Sequence, residues 1–438
     1  MSAADVRVPR APMIVAAAAL IVCAAILWFA RDFTFYFDEW SFIVTAPDWT
    51  FATYFTPHNE HPSMLFRAIY AALLNTAGLR TYLPYMAVLL LFHLANVLLL
   101  FALVRRHAGD LIAMCAAALL LTLGGGWEDI LWAFQMAWLA SIACGLGALL
   151  LIESPSRVPV AIGLLVASLA FSSIGLLFAI AVGVQLLLKP GRRRDLAWLS
   201  PLAVALLAWY IAFGRFGVHP NPQPAPGNVL VDPLYAAWGL GQSAAALVGK
   251  GGQYGPPALI AAVAVIAWRW KRHGADPFAL SVAVALVAFY LITGLTRAQL
   301  GYHQSGASRY VYIGAVLWLI LLSDAARGLP WRGSWRPALL ALVFVAWFSS
   351  SVLLFSFAIA RPVVMEQQVA DYFALAAMRS DPCLDPDGAV DRLVMPVETR
   401  PALYYRAVDR YGDPRAGRPL LDNASYEAGV RHLRRADC

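Results

Sequence analysis

The chain alternates long apolar runs with short polar breaks, and the runs are too long and too uninterrupted for the one-sided helices of a soluble domain. Windows of about 20 residues, the length a helix needs to cross a bilayer, predict apolar helices at 11–30, 83–104, 110–124, 134–152, 158–173, 174–188, 196–213, 256–270, 277–295, 308–323 and 337–360, about eleven in all. Basic residues gather at alternate boundaries: Arg7 and Arg10, Arg105 and Arg106, Arg157, Lys189 to Arg194, Arg269 with Lys271 and Arg272, and Arg327 with Arg332 and Arg336. By the positive-inside rule this places the N-terminus in the cytoplasm and the C-terminus outside.

Two further apolar segments, 63–78 and 233–249, are expected not to cross, because a crossing at either would move every later basic cluster to the wrong face. The first is expected to lie in the interface, with Leu65, Phe66, Ile69, Tyr70, Leu73 and Leu74 toward lipid or protein and Arg67 toward the headgroups. The second is expected to be re-entrant or interfacial. The first apolar run ends Leu27-Trp28-Phe29-Ala30-Arg31-Asp32, without the small-residue pattern of a cleavage site, and reads as a retained anchor. The predicted organisation is a multi-span domain over 1–360 and an extracytoplasmic tail over 361–438, where strand-like 393–397 and helix-like 423–435 suggest a small α/β appendage.

Composition supports an all-α polytopic membrane protein: 438 residues, 61% hydrophobic and only 13% charged. The net charge of +7 does not imply a nucleic-acid partner, since its basic residues sit in short runs between spans, where they orient the protein in the bilayer. Cys23, Cys115 and Cys144 fall inside predicted spans as small apolar residues, whereas Cys383 and Cys438 bracket the outward tail and are a candidate disulfide. A phosphate-binding P-loop, a dinucleotide fingerprint, a G-x-S-x-G elbow, Cys-x-x-Cys pairs and zinc-finger spacing are all missing, so soluble nucleotide chemistry has no support.

Most of the non-basic polar chemistry falls on the outward face, in the loops 31–62, 124–133, 214–255 and 296–307 and the tail 361–438. In Phe37-Asp38-Glu39-Trp40 an acidic pair follows the first span closely, and carboxylates at a membrane boundary are costly enough to imply a task. Partial desolvation would tune Asp38 toward general-base work on a hydroxyl acceptor, with Glu39 orienting the acceptor or binding a cation; helix capping or plain solvation is the bland alternative. His58, Glu60 and His61, in His58-Asn59-Glu60-His61-Pro62, suit hydrogen bonding to acceptor or donor, or else a divalent metal such as zinc or manganese. No cofactor is otherwise implied. Trp127, Glu128 and Asp129 place an aromatic face beside carboxylates, which suits a sugar ring and its hydroxyls and equally suits an interfacial aromatic belt. Arg297, Arg309 and Tyr310 bracket the last outward loop, where a guanidinium would hold a lipid-linked phosphate by bidentate bonds or snorkel to headgroups.

An N-terminal span, the Asp38-Glu39 loop, His61-Pro62 opening an interfacial helix, a second span ending in Arg105-Arg106, and Arg309-Tyr310 at a late helix start together resemble the GT-C membrane glycosyltransferases. The likeness is to the branch with protein O-mannosyltransferases, lipid A aminoarabinose transferases and lipopolysaccharide-core sugar transferases, and is clearest over about residues 11–152. It implies a GT-C-like fold in the bacterial plasma membrane, and inverting transfer of a sugar from a polyprenyl-phosphate donor to an envelope acceptor. Asp38 matches the family's catalytic base, and Arg309, with Arg297 beside it, the donor-phosphate arginine. A single His-Pro, where many relatives carry His-Pro-Pro, and a short tail depart from the pattern at the acceptor side. A transporter or flippase of lipid-linked sugars, or a non-catalytic envelope-assembly scaffold, are the competing classes; the first requires buried charges near the midplane and broken helices.

Overall fold

The computed structural model describes the chain except residues 1–3, 5, 217–224, 328, 330–332, 334, 391–394, 397 and 398. Arg332, part of the 214–255 loop and most of the 393–397 strand expectation lie outside the described residues. Those described form the helices α1 Ala11–Phe29, α2 Asp38–Thr45, α3 Met64–Thr76, α4 Leu83–Ala108, α5 Asp110–Leu121, α6 Trp127–Leu131, α7 Met136–Leu151, α8 Val158–Phe171, α9 Gly175–Leu188, α10 Ser200–Ala212, α11 Asn228–Ala246, α12 Gly255–His273, α13 Pro277–Arg297, α14 Ser308–Ala326, α15 Trp335–Met378, α16 Pro401–Tyr411 and α17 Asn423–Leu433. Among the described residues there is no strand, only isolated bridges at His58 with His61 and Leu384 with Arg434.

Among the described residues there are 7 helices long and apolar enough to cross a membrane, or 8 if the pair Asp110–Leu121 and Gly124–Leu131, bent by 43°, forms one broken span. This is fewer than the eleven apolar windows, because several of the helices they mark are too short or too charged to qualify as spans. The windows at 158–173 and 174–188 become 14-residue helices, α8 and α9, separated where Ser172 is fully extended (φ −164°). The 256–270 window becomes α12, which ends in Lys271, Arg272 and His273 and is not among the helices long and apolar enough. The last span instead continues through Pro362 as the 44-residue α15.

The chain divides into two compact units: Met1–Ala24, Phe55–Leu65 and Leu89–Phe355 form the first, and Ala25–Tyr54, Phe66–Val88 and Ser356–Cys438 the second. The 360/361 division therefore falls inside α15, and residues 361–438 share a unit with most of the 31–62 loop.

In the first unit α7 packs on α8, α9 on α13, and α11 on α12, α13 and α14. Small residues allow these approaches, as expected where lipid removes the hydrophobic drive between helices. A Cβ on Gly145 would lie 2.1 Å from the Phe178 ring, and one on Gly239 would lie 2.2 Å from Tyr290. Ser141 and Ser168 tie α7 to α8 across the seam, each hydroxyl reaching the other's backbone carbonyl at 2.9 and 2.7 Å. Residues 233–249, expected to be re-entrant or interfacial, belong largely to the continuous helix α11, whose Tyr235 and Ala244 to Ala246 are buried.

The second unit is organised around rings. Phe35 meets Tyr82 and Tyr85 edge-on at 5.1 and 4.9 Å, and Trp40 meets Tyr372 and Tyr404 at 5.3 Å each. Aromatic pairs at such separations add to the stability their buried area already supplies. Arg67 departs from expectation: it is 7% exposed, with its guanidinium 4.8 Å from the Phe42 ring and 5.3 Å from that of Trp49. A planar guanidinium is weakly hydrated and stacks on rings, so α3 turns its cation into aromatic packing instead of toward headgroups. Phe66, Tyr70 and Leu74 are buried, while Leu65 is 36% exposed. Cys383 and Cys438 are joined by a disulfide.

Candidate functional site

The richest polar cluster of the first unit begins at a strained turn. His58 and His61 exchange both backbone hydrogen bonds at 3.0 Å, with Asn59 at φ +48° and Glu60 at φ +65° between them. Two left-handed residues are what a type I′ turn demands; Asn tolerates the position, whereas Glu pays on the order of 1–3 kcal/mol. The turn presents Glu60 to Arg297, with Oε2 3.3 Å from Nη2, while Arg297 Nη1 donates to Thr296 Oγ1 at 2.8 Å. His61 hydrogen-bonds the Ser173 hydroxyl through Nδ1, and its ring meets Trp138 edge-on at 6.0 Å.

His61, Ser173, Arg297, Trp138 and Tyr310 line one cleft of about 490 Å³, counting its open mouth, whose remaining wall includes Ile174, Leu177, Phe289 and Ile292. Each contributing element ends at or near the cleft: α13 delivers Arg297 from its last turn, α14 Tyr310 from its first, and the Ser172-Ser173 break before α9 exposes a hydroxyl. Burial, reinforced by the charges of Arg297 and Arg309, pushes the His61 imidazole down to about 3. His61 is thus a neutral hydrogen-bonding group near pH 7, and the positive charge of this region resides on the arginines.

Arg309 is placed differently from Arg297. Its backbone N–H donates to Glu128 Oε2 at 3.1 Å, and Glu128 N–H donates to Ser308 Oγ at 3.0 Å, so a carboxylate caps the positive end of α14. The Arg309 guanidinium lies 5.5 Å from the Tyr310 ring. The triple glycine before Trp127 is a packing device: a Cβ on Gly124 would lie 2.4 Å from the Ser350 carbonyl oxygen and one on Gly125 2.6 Å from Ala246 Cβ. Trp127 is half-buried, but Asp129 is fully buried and neither carboxylate oxygen has a hydrogen-bond partner among the described residues. His58 packs edge-on to Phe134 at 5.4 Å, away from the cleft lining. Among the described residues, no three His, Cys, Asp or Glu side chains come together as a metal site. His61 and Glu60 are engaged by Ser173 and Arg297.

Asp38 and Glu39 belong to the second unit. Phe37 precedes them at φ +48°, ψ −118°, a conformation an L-residue adopts only under restraint. Glu39 supplies that restraint. It is 0% exposed, accepts from the Tyr36 N–H at 2.8 Å, and receives the hydroxyls of Tyr70 and Tyr82 at 3.1 and 2.9 Å. Burial pushes its carboxyl up to about 8, against those hydrogen bonds and the charge of Arg361. This burial removes Glu39 from contact with an acceptor or cation and makes it the anchor of the turn that carries Asp38, which stays half-buried at the first position of α2.

Ser173 and Trp138 were not singled out from the sequence. The Ser172-Ser173 break in an otherwise apolar stretch was the available signal for the first, while Trp138 looks like any other aromatic in a span. No family model, no curated protein and no solved structure matches this chain.

Proposed function

We propose that the protein is an integral-membrane glycosyltransferase that moves a sugar from a polyprenyl-phosphate donor to an envelope lipid, glycan or protein acceptor, on the outer face of a bacterial plasma membrane. The observation that carries this reading is the amphipathic cleft of the first unit, where one guanidinium, Arg297, stands among apolar side chains and hydroxyl or imidazole donors. A polyprenyl phosphate has the complementary build, an anionic head on an apolar tail, and charge-assisted bonds are the strong ones in such a setting. In this reading Arg297 and Arg309 stabilise the phosphate that leaves and Tyr310 and His61 bind the donor; Asp38 is proposed as the base for the acceptor hydroxyl on the family resemblance alone. The N-terminus is then cytoplasmic and the C-terminus extracytoplasmic.

Donor binding tests it. Arg297→Ala and Arg309→Ala should each weaken use of a polyprenyl-phosphate sugar about tenfold or more while the acceptor KM stays near wild type, the scale of one lost charge-assisted bond. Unchanged donor kcat/KM in both variants would remove the cleft from the reaction.

A transporter of lipid-linked sugars is favoured by one specific observation, the buried carboxylate of Asp129, without a hydrogen-bond partner among the described residues, on the far limb of the bent pair. Buried charge and a broken helix are the marks of such proteins. Movement of a fluorescent lipid-linked sugar across proteoliposomes, abolished by Asp129→Asn with no sugar transfer detected, would support that reading over transfer.

A further inference from the structure

The second unit holds a cleft of its own, about 970 Å³ with its open mouth, and no residue assigned above to donor or acceptor lines it. Arg31, Arg80, Arg418 and Glu366 form its polar wall, and Met365 and Leu421 are among its apolar residues. Its position along the chain sets it at the ends of two candidate spans, where a bilayer boundary is expected. Arg31 and Asp32 directly follow the apolar helix α1, and Glu366 lies on the continuation of the last span beyond its apolar stretch. Trp28, 66% exposed, holds the Arg31 guanidinium 4.2 Å from its ring, an arrangement typical of the interfacial aromatic belt.

The charges of the cleft do not cancel. Arg31 and Asp32 pair at 3.4 Å and neutralise each other. Arg418 donates to the backbone carbonyls of Asp32, at 3.0 Å, and Phe33, which orient its guanidinium without removing its charge. Arg80 acts electrostatically on Asp413, but that carboxylate is taken by Arg415 at 2.6 Å. Two guanidiniums therefore face one carboxylate, Glu366, which makes no ion pair among the described residues. Leu421, 62% exposed, adds an apolar surface on the same cleft.

We propose that this cleft binds the headgroup of an anionic glycerophospholipid. Arg80 and Arg418 hold the phosphodiester, Glu366 and Thr81 take the headgroup hydroxyls, and Leu421 and Met365 meet the start of the acyl chains. The excess of one positive charge selects a lipid of net charge −1 over a zwitterionic one. Basic side chains at a membrane surface contribute about 1 kcal/mol each to such binding, about fivefold in affinity.

Native mass spectrometry of the full-length protein, released from micelles doped equally with phosphatidylglycerol, phosphatidylethanolamine or phosphatidylcholine, tests this. The wild type should retain phosphatidylglycerol over the other two, and Arg80→Gln should weaken that retention about fivefold. Arg400→Gln, which breaks an exposed pair with Asp387 elsewhere in the unit, should leave it unchanged. Arg418→Gln should lower retention further, but Arg418 also braces the 32–33 backbone; Arg80 donates no hydrogen bond among the described residues and carries the test without that risk. Equal retention of phosphatidylethanolamine, wild-type retention by Arg80→Gln, or displacement of the lipid by an equal concentration of inorganic phosphate would each overturn the assignment.

Discussion

Glu39 gives the sharpest prediction, because one buried carboxyl is pulled two ways. Three donors surround it, the Tyr36 N–H and the Tyr70 and Tyr82 hydroxyls, and each favours the ionised form. Full burial disfavours that form and wins, raising the group from its ordinary 4.5 to about 8. A folded-state value raised above the unfolded one contributes stability that is whole below the unfolded pKa and is lost as pH climbs through the folded one. The interval from 4.5 to about 8, at ~1.4 kcal/mol per pH unit, sets the loss on the order of 5 kcal/mol, large against the stability of most proteins. Glu39→Gln fixes the neutral form and should abolish this dependence, yet it should start about 1–2 kcal/mol lower at pH 5, because an amide cannot accept from all three donors. Melting of the purified protein in detergent from pH 5 to 9 should therefore give a falling wild-type curve that crosses a nearly flat Glu39→Gln curve. Parallel curves, or wild-type stability that rises with pH, would refute the reasoning.

Three other outcomes are expected. Asp38→Asn should lower sugar transfer by about 10²–10⁴-fold with wild-type melting, since it removes the basic lone pair and keeps the shape; transfer assays beside melting curves check it. Cys438→Ser should free the tail ends and cost on the order of 4 kcal/mol for a loop of 55 residues, read as faster limited proteolysis between 383 and 438 with little change in the spans. Single cysteines placed in 31–62 and in 361–438 should react with a membrane-impermeant thiol reagent in intact cells, and those in 189–194 should not; the reverse pattern would invert the topology and remove the proposed outward chemistry.

Apolar runs, with no tertiary information, determine that this is a membrane protein built of helices, since a backbone in lipid must satisfy its hydrogen bonds within each segment. The same local signal marks Asp38, Arg297 and Tyr310 as polar groups at helix ends. It does not determine how many helices span: the windows at 158–173 and 174–188 already separate α8 from α9, but composition does not show that each stops at 14 residues. Nor does it separate Asp38 from its neighbour: adjacent carboxylates are equivalent in sequence, and only Tyr70 of α3 and Tyr82, just before α4, bury Glu39 and leave Asp38 half-exposed. Arg67 turned inward for a similar reason, the rings of Phe42 and Trp49 standing where headgroups were expected. Pairing of Glu60 with Arg297 joins residues 237 positions apart, and the tail shares a unit with the first loop across more than 300. Such partners are chosen by packing over the whole chain, and packing is a property of the folded state that no local window contains.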